Sequence, residues 1–167
     1  KPTARVSITA GLRVEHIRRD ALEGNPSPFS PRPTFGRRSE ISANPKLSAG
    51  IFLRRSGSAA RNWTRLRVSA GTGIRPPGGL EIAFTDNPDL RPERSRSVDA
   101  GLQQAVAGGA GFLEATAFFN RYDDLIVSVG RSLRDASRFQ TDNIANARAR
   151  GVELAATART SWGLDLR

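Results

Sequence analysis

The sequence predicts an all-β fold, an antiparallel meander of about seven strands with one apolar face, and three observations predict it. Apolar residues recur at every second position wherever there is any pattern. The connections between these stretches alternate long and short. No apolar run approaches the ~18 residues of a membrane-spanning helix.

From Arg5 to Glu15, one parity reads Val6, Ile8, Ala10, Leu12, Val14 and the other Arg5, Ser7, Thr9, Gly11, Arg13, Glu15. A strand sends alternate side chains to opposite faces, so one face is apolar and the other polar or very small. The second strand, about Pro45 to Arg54, sets Leu47, Ala49, Ile51 and Leu53 against Lys46, Ser48, Gly50, Phe52 and Arg54. The third, Arg65 to Gly73, sets Leu66, Val68, Ala70 and Thr72 against Arg65, Arg67, Ser69 and Gly71. A fourth alternates Val98, Ala100, Leu102 with Asp99, Gly101, Gln103; a fifth sets Leu113, Ala115, Ala117, Phe119 against Glu114, Thr116, Phe118, Asn120. The sixth sets Val152, Leu154, Ala156, Ala158 against Glu153, Ala155, Thr157, and a seventh begins near Trp162. On the sixth, Arg148 and Arg150 share the apolar parity: either they stand above an apolar band and reach lipopolysaccharide phosphates, or a bulge at Gly151 resets the register.

The connections run long (Arg18 to Asn44), short (Arg55 to Asn62), long (Ile74 to Glu93), very short (Ala107 to Gly111), long (Asp123 to Arg138) and short (Arg159 to Trp162). That sorting suits a transmembrane barrel with external loops at one rim and tight turns at the other. A strand of ~11 residues tilted by ~40° spans roughly 28 Å, close to an apolar band of ~25 Å. Trp63 and Trp162 then fall at the short-turn rim, and Phe118, Phe119 and Tyr122 near the long-loop end, where aromatic girdles belong.

Lys and Arg number 26 against 16 Asp and Glu, a formal charge of +10, which raises nucleic acid as a partner. Cysteine and methionine are absent and His16 is the sole histidine, so no disulfide or Cys- or His-rich metal site is expected. No phosphate loop occurs, and Pro76 breaks the dinucleotide fingerprint that Gly71 and Gly73 would open. Asp123 and Asp124 read as a solvated loop pair, His16 as a rim residue, and Arg91, Arg94 and Arg96 as either a phosphate-binding cluster or loop charges facing lipopolysaccharide. Without a catalytic constellation or cofactor motif, the chain is read as neither an enzyme nor a cofactor binder.

The stretch from Gly71 to Leu102, GTGIRPPGGLEIAFTDNPDLRPERSRSVDAGL, resembles the hallmark segment of TonB-dependent receptor barrels. In that family a strand runs into a G-x-G-F-R-A-P-like loop, then an N-P-x-L-K-P-E turn, then a strand ending in E-L-G-L. Asn87, Pro88, Leu90, Pro92 and Glu93 match the turn, whereas Ile74, Pro76 and Asp99 replace the more usual Phe, Ala and Glu. ATAFFNRYDDLI, with Asn120 and Asp124, is similar to the strand before an external loop. NIANARARGVELAA, with Asn146, Arg150, Gly151 and Glu153, is similar to the returning strand, and ITAGLRVEH to an earlier one.

The resemblance implies that residues 1–167 are an incomplete arc of a 22-stranded barrel. The plug domain, the segment that meets the TonB complex and the closing strands are expected to lie outside this sequence. It further implies a bacterial outer-membrane importer of a siderophore, cobalamin or similar scarce nutrient such as a metal chelate. Outer-membrane lipid, lipopolysaccharide, the protein's own plug and the TonB complex are the implied partners. On inward faces Glu93, Asp99, Glu114 and Glu153 are expected to pair with Arg65, Arg67 or plug charges. Ligand contacts are expected from the external loops, at Arg75, Phe84, Arg131 and Arg134, because arginines suit anionic chelates and aromatics apolar rims. The alternative is a soluble, basic all-β nucleic-acid-binding module with stacking aromatics on its polar face; Phe52, Phe112 and Phe118 share that parity but are scattered over separate strands.

Overall fold

The computed structural model describes residues 5–26, 33–56, 62–83, 85, 87–130, 139–159 and 165–166. Among these residues seven strands follow one another in chain and in sheet: β1 (Val6–Arg19), β2 (Arg38–Ser56), β3 (Asn62–Arg75), β4 (Glu93–Val106), β5 (Gly111–Gly130), β6 (Phe139–Arg159) and β7 (Asp165–Leu166). Every neighbouring pair is antiparallel and the sheet is open, with β1 and β7 at its edges. A short helix, α1 (Gly79–Ala83), lies between β3 and β4, and a 3-10 turn at Ala107–Gly109 joins β4 to β5. In that turn Ala107, Gly108 and Gly109 all have positive φ. Two glycines make such a tight reversal accessible.

The register carries the alternation across the sheet. Ile8, Ala49, Val68, Ala100, Ala117 and Val152 oppose one another strand by strand, and so do Val6, Ile51, Leu66, Leu102, Ala115 and Leu154. These side chains face outward: Ile8 is 69% and Leu154 80% exposed. Exposed apolar surface costs roughly 25 cal/mol per Å² in water, so a face of this extent calls for an apolar surrounding. No helix among the described residues is long and apolar enough to cross a membrane.

The opposite face is polar. There Arg67 on β3 reaches Glu114 on β5 at 2.9 Å, and Ser69 bonds Asp99 on β4. The first spans two inter-strand steps, crossing the level of Gly101, which stands opposite Arg67 on β4. A Cβ at Gly101 would meet Thr116 Oγ1 at 2.8 Å, so glycine there keeps the passage open. The expected pairing of Glu114 with Arg67 is therefore present, while Arg65 binds Ser7.

Three expectations are corrected. β2 begins at Arg38 rather than Pro45, and its upper part pairs with β1 while its ladder to β3 stops at Lys46. Pro45 has no N–H to donate, and the ladder ends beside it. β5 continues to Gly130, so the first half of the expected Asp123–Arg138 loop is strand, and residues 131–138 lie outside the described residues. A bulge between Tyr122 and Leu125 interrupts the period there and hides the continuation from a two-residue pattern. Finally, Trp63 lies at the short-turn rim but packs edge-on against Phe52 at 5.6 Å and tilted against Phe112 at 5.7 Å, on the polar side. The girdle expected of it is not formed, and two of the scattered polar-face aromatics meet through it; Trp162 lies outside the described residues.

The register also decides the Gly151 question. Ala117–Val152, Phe118–Gly151 and Phe119–Arg150 are consecutive pairs with no bulge among them. A Cβ at Gly151 would sit 2.9 Å from the Phe118 ring, so the glycine makes room for a cross-strand aromatic. Arg148 and Arg150 consequently share a face with Val152 and Leu154.

Candidate functional site

The segment Thr85 to Glu93 makes most of the long-range polar contacts at the long-loop rim, and its residues explain its shape. Pro88 and Pro92 fix φ and donate no hydrogen bond, which excludes regular structure. Asn87 supplies the turn: its Oδ1 accepts the Asp89 N–H at 2.8 Å and its carbonyl the Leu90 N–H at 3.3 Å. Thr85 Oγ1 accepts the Asn87 N–H at 3.0 Å and donates to the Thr141 carbonyl at 2.6 Å.

This turn is a strap anchored on both flanks. Toward β6, Asn87 Nδ2 donates to Asp142 Oδ1 at 2.6 Å, and the Arg91 N–H donates to Asn143 Oδ1 at 2.7 Å. Toward β1 and β2, Arg19 donates to the Pro88 carbonyl at 3.3 Å and Arg38 to the Leu90 carbonyl at 3.1 Å. Leu90 is 1% exposed beneath it. Although Asn87 and Leu90 close a turn within it, the strap has partners at the ends of β1 and β2 on one side and of β6 on the other. The strap therefore crosses the strand ends and ties separate parts of the rim together.

Asp124 is its anchor on β5. It sits in the bulge at φ 60°, where its N–H donates to Asn146 Oδ1 at 3.3 Å and its carboxylate takes Arg91 at 2.7 Å. Asn143 Nδ2 donates to the Asp124 carbonyl as well, at 2.7 Å. Asp123, by contrast, pairs with Arg121 at 2.8 Å. The two aspartates expected as one solvated pair thus point to different partners. So do the three arginines of the expected cluster: Arg91 binds Asp124, Arg94 binds Glu40 at 2.7 Å, and Arg96 stands on the apolar face within β4.

Arg75 ends β3 between two carboxylates, Glu81 on α1 at 2.9 Å and Glu93 at the start of β4. Glu93 also accepts the Ile126 N–H at 2.9 Å. Glu81 accepts the Gly78 N–H at 2.6 Å, and the Arg75 guanidinium, its main partner, holds its carboxyl below the ordinary carboxylate value. Beside the strap, Arg19, Arg38, Glu40, Pro76, Ile82 and Leu90 wall a mostly apolar cleft of about 270 Å³.

Of the expected ligand contacts, Arg75 is thus placed at the root of the strap facing Glu81 and Glu93, and Phe84, Arg131 and Arg134 lie outside the described residues. Of the motif residues, Asn87, Pro88, Leu90, Pro92, Glu93, Asp124 and Asn146 are brought together here. Asn120, Arg150, Gly151 and Glu153 sit lower on β5 and β6. The sequence reading missed Arg19, Arg38, Thr85, Thr141, Asp142 and Asn143; no local signal marks them, since each acts across more than 50 positions. His16, read as a rim residue, bonds Ser39 at 2.8 Å near the end of β1. Among the described residues no group of three His, Cys, Asp or Glu is placed to hold a metal ion.

Comparison with known proteins adds family and fold. The family model "TonB dependent receptor-like, beta-barrel" matches residues 1–167. Among solved structures, the chain is similar to "Copper transporter OprC", with TM-score 0.65 and 19% identity over 95% of this chain and 24% of that one. It is also similar to a double mutant of the Serratia marcescens hemophore receptor HasR in complex with its hemophore HasA and heme. There the TM-score is 0.55, with 16% identity over 93% of this chain and 28% of that one. The chain thus spans about a quarter of the length of these structures. No curated protein matches the sequence.

Proposed function

Because the chain belongs to the TonB-dependent receptor β-barrel family, we propose that it forms barrel wall and external loops of an outer-membrane receptor that imports a scarce nutrient with energy from the TonB complex. The observation that carries this reading is the two-faced sheet: an exposed apolar side suited to lipid and a polar side crossed by ion pairs. Among the described residues, Arg65 Nε, Arg67 Nε and Asp99 Oδ2 are buried without a partner on that polar side. A plug domain filling the lumen would pack against the part-exposed charges of that polar side, such as Arg67. In this reading the protein moves its ligand without transforming it, as befits a family of transport receptors.

A siderophore, cobalamin or similar metal chelate is the class of ligand proposed. Phe84, Arg131 and Arg134 are assigned to ligand contact from the external loops. Arg75 serves the same site by holding the root of the strap between Glu81 and Glu93. The neighbours' names, a copper transporter and a hemophore receptor, point the same way for those proteins.

The test is nutrient-limited growth of a strain lacking the full-length protein, scored against a panel of ferric chelates, cobalamin, heme and copper. Loss of growth on one source, restored by the gene and abolished again when the inner-membrane energy complex is removed, is the expected result. Restored growth that ignores the energy complex would overturn the proposal.

A further inference from the structure

We propose that the apolar face of β4, β5 and β6 carries a binding site for the phosphorylated headgroup of a membrane lipid, formed by Arg96, Arg121, Arg148 and Arg150. The inference rests on the barrel reading above and goes beyond it by naming a lipid site on the outer wall.

The register makes the site. Arg96 stands directly opposite Arg121, and Arg121 directly opposite Arg148, so three cations form one row across three strands. Opposed side chains have Cβ atoms only ~4.5–5.5 Å apart, and like charges in that relation repel. Arg150 joins from the next level, opposite Phe119. All four are exposed. Against them stands one carboxylate, Asp123, which takes Arg121 Nε at 2.8 Å. Among the described residues Arg96, Arg148 and Arg150 form no ion pair, while Arg94, nearer the rim, is drawn to Glu40.

The neighbourhood says what covers the row. One level toward the short turns lie Val98 and Phe119, and beyond them Val152 and Leu154, all exposed. A strand advances ~6–7 Å in two residues, so the guanidinium row borders the apolar band rather than crossing its centre, where a charge would be costly. At the same level β1 to β3 carry Leu12, Pro45 and Thr72, which are neutral, so the cations are confined to one sector of the wall. An occupant must therefore combine phosphate for the arginine forks with acyl chains for the face below. A soluble anion satisfies the first requirement only.

The experiment places the full-length protein in phosphatidylcholine nanodiscs with or without diphosphoryl lipid A, and reads retained lipid by native mass spectrometry and the thermal midpoint. Lipid A should be retained and raise the midpoint, and the R96Q/R121Q/R148Q variant should bind it about tenfold or more weakly. The R18Q/R37Q variant, which removes two rim charges elsewhere, should bind as the native protein does. If the triple variant fails to insert, R96Q and R148Q singly carry the test, each expected to weaken binding about threefold. Equal binding by the arginine variants overturns the proposal. So does equal binding of lipid A stripped of its phosphates, and so does an equal midpoint rise from inorganic phosphate alone. A protein that does not enter nanodiscs as β structure sinks the barrel reading and this one together; an inserted protein indifferent to lipid A sinks only this one.

Discussion

Asn143 and Arg91 exchange two hydrogen bonds: the Arg91 N–H donates to Asn143 Oδ1 at 2.7 Å, and Asn143 Nδ2 donates back to the Arg91 carbonyl at 2.9 Å. A side-chain amide here does for the strap what an opposing strand does for a ladder. It satisfies both backbone groups of a residue flanked by Pro92 and unable to join a sheet.

Replacing Asn143 with alanine should therefore release Arg91 from β6, while Thr85 and Asn87 still hold the strap there and the barrel stays folded. The substitution removes those two bonds and the one from Asn143 Nδ2 to the Asp124 carbonyl, together worth about 1.5–4 kcal/mol, so local opening at Arg91 should become roughly tenfold or more easier. Hydrogen exchange at the Arg91 amide in the full-length protein reads this directly. Unchanged protection at Arg91 would mean that the Asn143 amide does not hold the strap and that its remaining anchors suffice.

Asp124 combines a conformation and a charge, and two substitutions separate them. Its φ of 60° is tolerated by Asp, Asn and Gly but strained for a β-branched residue. Asp124→Gly should lose only the contact to Arg91, whereas Asp124→Val should lose that contact and about 1–2 kcal/mol more in strain. Thermal midpoints in detergent should rank native above Gly above Val. A Val variant as stable as the Gly variant would show that the bulge relaxes without cost.

The clamp on α1 gives a pH dependence with a definite sign. Arg75 lowers the Glu81 pKa in the folded state, so the folded form binds its proton less readily than the unfolded chain. The stabilisation is complete above the ordinary carboxylate value of about 4.3 and is lost as pH falls through the lower folded value. Exchange or proteolysis within Gly79–Ala83 should accelerate only in that acidic window. Glu81→Gln should make it fast at neutral pH as well and flatten the profile; a profile unaltered by E81Q would assign the titration to another group.

What was legible in the sequence follows from the range of the interactions. Period two reports on a side chain's own strand, so the face of Ile8, Val68, Leu102 and Leu154 could be read residue by residue. Antiparallel register then aligned those faces as the pattern required. The same rule fails where a single residue changes parity, as in the bulge at Asp124, and β5 was therefore expected to end too early. The strap was visible as proline-rich turn chemistry at Asn87, Pro88 and Pro92. Its anchors on Arg19, Arg38 and Thr141–Asn143 were not, because polar residues far along the chain carry no periodic mark of a partner. The arginine row was half visible: Arg148 and Arg150 betray their face by parity, but only register sets Arg96 and Arg121 beside them.

The exposed apolar face leads to a prediction for residues 1–167 expressed alone. Ile8, Leu12, Val98, Val152 and Leu154 all stand at least half exposed on a sheet with unpaired edges at β1 and β7. Either feature promotes association in water, and together they present an apolar template bordered by free backbone groups. The polar face offers no remedy, since its ion pairs lie on the other side. The chain should aggregate in plain buffer and gain strand content when micelles cover the face, as read by circular dichroism with and without detergent. Substituting Ile8 and Leu154 with lysine should lower the detergent requirement if that face drives association. A monodisperse, strand-rich species in buffer would contradict the lipid-facing assignment, and salt-sensitive binding of that species to nucleic acid would favour a basic soluble module instead.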